Sequence, residues 1–185
     1  PVGTCWDIGL SDATAIWFYQ RMGQQILFID YHEDTQKGAQ DYARVLREQK
    51  PYQYARMILP HDAQWSAEAY FSSVGFRGID IARKVPVQAG IDLVRQTFSR
   101  FVFDEKHCAR GLECLDRYAR EFDETARVFR DSPRHDRYSH GADALRYGTV
   151  AGFDPLAFHD SVEQVIPVET AFDPRGVALV DRRML

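Results

Sequence analysis

The chain has 185 residues, 45% of them hydrophobic and 27% charged, with a net charge of −4, which suits one compact α/β domain and is too short for a second full one. Three cysteines, Cys5, Cys108 and Cys114, are an odd number with no CxxC spacing, which argues against a disulfide framework or a zinc knuckle. No run of roughly eighteen apolar residues occurs and the opening PVGTCWDIGLSDA lacks the order of a signal peptide, so the expectation is a cytosolic protein without a membrane span.

Residues 3–10 and 13–22, joined by a Ser-Asp turn, and QILFIDY at 25–31 are rich in β-branched and aromatic residues and predict three consecutive antiparallel strands. Helical spacing of Ala39, Tyr42, Ala43, Val45 and Leu46 predicts a helix over 35–49, with Thr35 as N-cap and Pro51 closing the segment. YARMILP at 54–60 reads as a fourth strand, 66–75 as a short helix and IDIARK as a fifth strand. Segments 86–100 and 107–120 each keep apolar residues on one helical face, and FVFDE between them reads as a short strand or turn. Residues 121–135 break the period and predict a hairpin or an excursion loop, after which a last helix starts near Ser139. The core domain is expected over 1–153. Residues 154–185, with Pro155, Pro167 and Pro174, are expected to form an extended tail, with VALV at 177–180 an edge strand.

A three-strand meander followed by alternating strands and helices predicts a mixed sheet with helices on both faces, the element order of a ribonuclease-H-like fold. Three aspartates stand out within it. Asp7 lies inside a strand, where a charge is disfavoured unless something on that face needs it. Asp62 follows the apolar end of the fourth strand, and Asp143 is expected in the first turn of the last helix. With the first and fourth strands parallel neighbours, all three can converge at one edge. Carboxylates crowded in this way repel unless divalent cations neutralise them, and oxygen donors suit Mg²⁺ or Mn²⁺. Two such ions about 4 Å apart can support phosphodiester cleavage. The competing reading gives each aspartate a local task, at a turn or on a helix dipole.

The negative net charge argues at first against a nucleic-acid partner, but arginines are dense from Arg117 to Arg146. Arg127, Arg130, Arg134 and Arg137 fall in the stretch without a core-forming period and are the candidate contacts to a DNA backbone; a solvated, ion-paired face explains the same density. No base-reading module is apparent.

WDIGLSDATAIWF, ILPHDA with AEAYFSSVGF after it, and HDRYSHGADALRYG together resemble the nuclease domain of the large terminase subunit of tailed bacteriophages, over about residues 3–150. The resemblance implies an enzyme that binds two Mg²⁺ or Mn²⁺ ions and cuts concatemeric double-stranded DNA during viral genome packaging in the host cell cytoplasm. By its motifs, Asp7 bridges both ions, Asp62 holds one and Asp143 the other. His140 is read as a ligand or a water-positioning group, or else as a helix-start residue bonding backbone or phosphate. Asp136 is read as an outer ligand or as a cap of the turn. The implied partners are the terminase ATPase domain, the small terminase subunit and the portal. No GxxxxGK[ST] phosphate loop is present, so the chain is expected to correspond to the C-terminal part alone. Two other functions share this sequence evidence: a RuvC-like junction resolvase, and a non-catalytic module that docks a packaging motor. Ser11 and Asp12 in the strand turn can also lie near the site, but turn chemistry explains them adequately, and Asp30 reads as a solvated strand end unless its face matches that of the metals.

Overall fold

The computed structural model describes residues 1–9, 12–63, 67–153 and, by backbone alone, 65–66 and 177–178. Its main sheet has the strand order β5-β4-β1-β2-β3-β6-β9, built from β1 (Val2–Asp7), β2 (Ala13–Met22), β3 (Gln25–Thr35), β4 (Tyr54–Leu59), β5 (Ile79–Ile81), β6 (Phe101–Asp104) and the two-residue β9 (Val177–Ala178). Strands β1, β2 and β3 form the expected antiparallel meander, and β4 joins β1 in parallel. The rest of the expected tail, 154–176 and 179–185, lies outside the described residues, as does Ser11.

The period of two along a strand divides the core. In β2, Ala15, Trp17 and Tyr19 point to one layer and Ile16 and Phe18 to the other. The first layer is closed by α3 (Val87–Thr97), α4 (Ala109–Arg117) and α5 (Ser139–Ala151), through Val94, Leu115, Ala144 and Leu145. The second is closed by α1 (Ala39–Arg44), which continues into a π-helical turn over 45–49, and by α2 (Trp65–Ser73), through Tyr42, Leu46 and Phe71. This is the mixed sheet with helices on both faces that the sequence predicts.

Several boundaries differ from the sequence reading. Thr35 is not a helix N-cap: β2 and β3 stay paired as far as Ala13↔Thr35, so His32, Glu33 and Asp34 are strand residues and the helix starts at Ala39. Helix α4 stops at Arg117 because the chain turns into β7 (Arg120–Asp123), whose partner β8 (Val128–Pro133) makes residues 120–133 a hairpin. FVFD is a strand, parallel to β3. Asp30 is no solvated strand end: it is buried, paired with the Lys50 ammonium at 2.5 Å and accepting from the Tyr52 hydroxyl at 3.0 Å. The three cysteines are free and buried.

Helix α5 is buried along nearly its whole length against β1 and β2. Small residues permit the approach. A Cβ on Gly148 would lie 2.8 Å from both the Cβ and the Sγ of Cys5, and one on Gly141 would lie 2.7 Å from the Cys114 Cβ. The Trp17 indole fixes the start of the helix by donating to the Gly141 carbonyl at 2.8 Å.

Candidate active site

Cys5 faces the layer that contains α5, so the alternation of β1 turns Asp7 toward the same helix. Its side chain is 18% exposed, and its Oδ2 lies 3.0 Å from His140 Nδ1. An ionised carboxylate only accepts, so Nδ1 carries the proton of that bond. Burial pushes the Asp7 carboxyl above the ordinary range; the hydrogen bond from His140 works in the opposite direction, and the negative charges of Asp143 and Asp62 push it further up. The same bond to Asp7, against burial, raises the His140 imidazole.

Asp143 is not a first-turn residue. Helix α5 begins at Ser139, so His140 occupies the first turn and Asp143 the second. The helix start is set by Asp136, whose Oδ1 accepts the Tyr138 N–H at 2.8 Å while its carbonyl accepts the Ser139 hydroxyl at 2.8 Å. The i,i+3 spacing of His140 and Asp143 places both on the side of α5 that faces the end of β1. Asp143 Oδ1 accepts from Arg146 Nε at 3.1 Å and from the Tyr118 hydroxyl at 3.3 Å. Arg146 is buried; burial opposes its charge, but Asp143 holds the guanidinium more firmly protonated than usual. Asp62 sits in the turn after β4, its side chain 69% exposed. Burial raises the nearby Tyr147 hydroxyl to about 12 against the pull of Arg146, and the charges of Asp62 and Asp7 add to the rise.

The fold therefore brings Asp7 within electrostatic reach of Asp143 and of Asp62, with His140 on Asp7, but among the described residues the three carboxylates do not gather their ligand atoms within 4.8 Å of one another. The other residues singled out in the sequence are placed as follows. The second oxygen of Asp136 accepts from Arg134 Nε at 2.6 Å. Arg127 lies at the tip of the β7–β8 hairpin with a positive φ of 54°. Arg130 is paired with Asp123 at 2.9 Å and with Glu121 at 3.7 Å. Arg137 lies 4.8 Å over the ring of Tyr138, where the Arg110 and Arg117 guanidiniums also gather, at 5.2 and 5.3 Å.

Two further groups stand at this edge. Asp12, adequately explained in the sequence by turn chemistry, and His135 stand with His140 so that one ligand atom from each lies within 4.8 Å of the others. His135 belongs to the motif HDRYSHGADALRYG, but only the chain path from β8 into α5 shows that it meets Asp12.

Comparison with solved structures gives the fold its relatives. The chain matches the large terminase of a thermophilic bacteriophage with a TM-score of 0.66 at 16% identity, over 80% of this chain and 38% of that one. It matches the large terminase nuclease domain of bacteriophage SPP1, solved with bound Mn, with a TM-score of 0.58 at 20% identity, over 79% of this chain and 83% of that one. For the P22 large terminase nuclease domain the TM-score is 0.55 at 20% identity, over 80% and 79% of the two chains. The fold is that of a large terminase nuclease domain, ribonuclease-H-like. The chain spans 38% of the length of the thermophilic phage's terminase. No family model and no curated protein matches the sequence.

Proposed function

We propose that this chain is the nuclease part of a large terminase subunit, a divalent-cation-dependent endonuclease that cuts concatemeric double-stranded DNA during viral genome packaging. The observation that carries the reading is Asp7: a half-buried strand carboxylate on which two further carboxylates act, Asp143 and Asp62, from elements distant in the chain. Burying a negative charge beside others is unfavourable for folding and is retained where a cation is to be held. The donor set fits the group the fold implies, since carboxylate oxygens with one imidazole suit Mg²⁺ or Mn²⁺. The structure of the SPP1 nuclease domain with Mn gives the same direction.

Asp7, Asp62 and Asp143 would hold the ions, two in our reading, with His140 and Asp136 as further candidates. Bound there, the ions supply Lewis acidity and an activated water at the scissile phosphate. The chain's own residues hold this centre in place: His140 orients Asp7, and Tyr118 and Arg146 fix the Asp143 carboxylate. The partners that follow are DNA, the terminase ATPase domain, the small subunit and the portal, in the cytoplasm of the host cell. Among the described residues no helix is long and apolar enough to cross a membrane.

Plasmid digestion tests the proposal. Nicking and linearisation are expected with Mn²⁺ or Mg²⁺ and not with chelator, and Asp62→Asn is expected to remove them while circular dichroism is unchanged. A protein that leaves plasmid intact with every divalent ion would overturn the assignment. A four-way junction run in parallel separates it from a resolvase, which would cut the junction in preference to linear duplex.

The hairpin is proposed to contact the duplex backbone through Arg127 and Arg130, with Arg134 and Arg137 behind it. Each guanidinium that reaches a phosphate contributes about one unit to the slope of log affinity against log salt. The double substitution Arg127→Gln/Arg130→Gln is therefore expected to flatten that slope by about two. Arg130 already has acidic partners, and a slope that does not move would mean the hairpin arginines serve only their ion pairs.

A further inference from the structure

We propose that Asp12 and His135 join His140 in a second cation site that adjoins the carboxylate centre and shares the His140 ring with it, and that takes a transition-metal ion such as Zn²⁺ in preference to Mg²⁺. The site is made by three separate pieces of chain: the residue before β2, the turn after β8 and the first turn of α5. The two imidazole rings lie 5.4 Å apart at 80°, and His135 Nε2 is 3.4 Å from Asp12 Oδ2.

The geometry shows what these side chains have to offer. The Ser139 hydroxyl lies 2.8 Å from the Asp136 carbonyl and 3.2 Å from His135 Nδ1, so it holds the His135 ring from its far side and turns Nε2 toward the Asp12 carboxylate. The His140 ring is held in the same way, its Nδ1 at 3.0 Å from Asp7. One nitrogen from each imidazole and one carboxylate oxygen thus converge within 4.8 Å, where a cation can take the place of the protons that the rings would otherwise hold there. An N–H held by a carboxylate or hydroxyl on the far side of the ring is the arrangement that orients metal-binding histidines. Two nitrogen donors select Zn²⁺, Co²⁺ or Mn²⁺ over Mg²⁺ and Ca²⁺, which prefer all-oxygen sets. With three protein donors the site keeps positions open to water. Through the His140 ring it is joined to Asp7.

The inference does not depend on nuclease activity and is tested without DNA. Chelator-stripped protein is titrated calorimetrically with Zn²⁺ in the presence of excess Mg²⁺. The wild type is expected to show one Zn²⁺ site that Mg²⁺ does not displace; His135→Gln and Asp12→Asn are expected to weaken it by about tenfold or more, on the scale on which metal-site substitutions act. Both side chains are mostly exposed, so the fold should survive their replacement. Asp143→Asn should leave this binding in place. Zn²⁺ binding that is unchanged in His135→Gln, or that is lost in Asp143→Asn alone, overturns the proposal. A His135-dependent Zn²⁺ site in a protein that cuts no DNA would leave it standing while the nuclease reading fell.

Discussion

Asp7→Asn is expected to abolish divalent-dependent cleavage and, in the same protein without metal, to raise the melting temperature. The loss of activity follows from position. Asp7 is the carboxylate on which the charges of Asp143 and Asp62 both act; under the proposed function it is a ligand shared by the reacting centre, a position that supports several kcal/mol of transition-state stabilisation, so the rate should fall by about a thousandfold or more. The gain in stability follows from the sign of the Asp7 shift. A carboxyl whose pKa is higher in the folded state binds its proton more tightly there than in the unfolded chain. Its contribution is therefore fully present below the unfolded value of 3.8 and is lost as pH rises through the folded one, which leaves an unfavourable charge at neutral pH. Asparagine keeps the shape and removes that charge. His140 has the same dependence on pH: its folded value is raised by Asp7, so its favourable share is also lost on the alkaline side. The comparison belongs at about pH 8.5, two units above the imidazole's ordinary value, by differential scanning calorimetry in chelator. A variant that is inactive and also less stable would show that Asp7 is a structural ion-pair residue rather than a strained site carboxylate.

The parts of this arrangement that are legible in the sequence are those written in short-range pattern. Runs of β-branched and aromatic residues at 3–10 and 13–22 specify the first hairpin, and the charge between Trp6 and Ile8 is conspicuous because a charged side chain within such a strand is disfavoured. Asp62 is legible because the apolar run of β4 ends just before it. What the pattern misplaces depends on pairing or on the path of the chain. Thr35 carries a good N-cap side chain, but ladder hydrogen bonds with β2 keep it extended, and the helix starts instead after Gly38, which has no side chain to cap with. Asp143 reads as a first-turn residue because Tyr138 gives no capping signal; the turn is made from outside the helix by Asp136. Arginine density in 117–146 is a fact of composition, whereas the acids that hold Arg130 are seen only once the hairpin is closed. The meeting of Asp12 with His135, 123 residues apart in the chain, has no signature of period or propensity at all.

Arg146→Met is expected to produce the largest loss of stability at this site and to have that loss reversed by a divalent cation. The guanidinium lies 3.0 Å from Asp143 Oδ1, nearly inaccessible to solvent, with its stem packed against Gly90 and its head 4.6 Å over the Tyr147 ring. Methionine fills much of the stem volume but leaves the Asp143 carboxylate without its counter-charge and within reach of Asp7. Breaking a buried pair from one side costs about 3–5 kcal/mol, a large part of a domain's total stability of about 5–15 kcal/mol. Arg146 and a metal ion are alternative cations for one carboxylate, so the variant should bind Mn²⁺ more tightly than the wild type, and saturating Mn²⁺ should return most of the lost stability by mass action. Neutralising the partner gives the internal check. In Arg146→Met/Asp143→Asn the stranded charge is gone, so in chelator the double variant should be more stable than Arg146→Met alone, and it should no longer respond to Mn²⁺ as the single variant does. Urea unfolding of the four proteins with and without Mn²⁺ closes the cycle. Equal destabilisation of the single and double variants would mean that Arg146 acts through its packing against α3, and that the charge on Asp143 is already met by the Tyr118 hydroxyl and water.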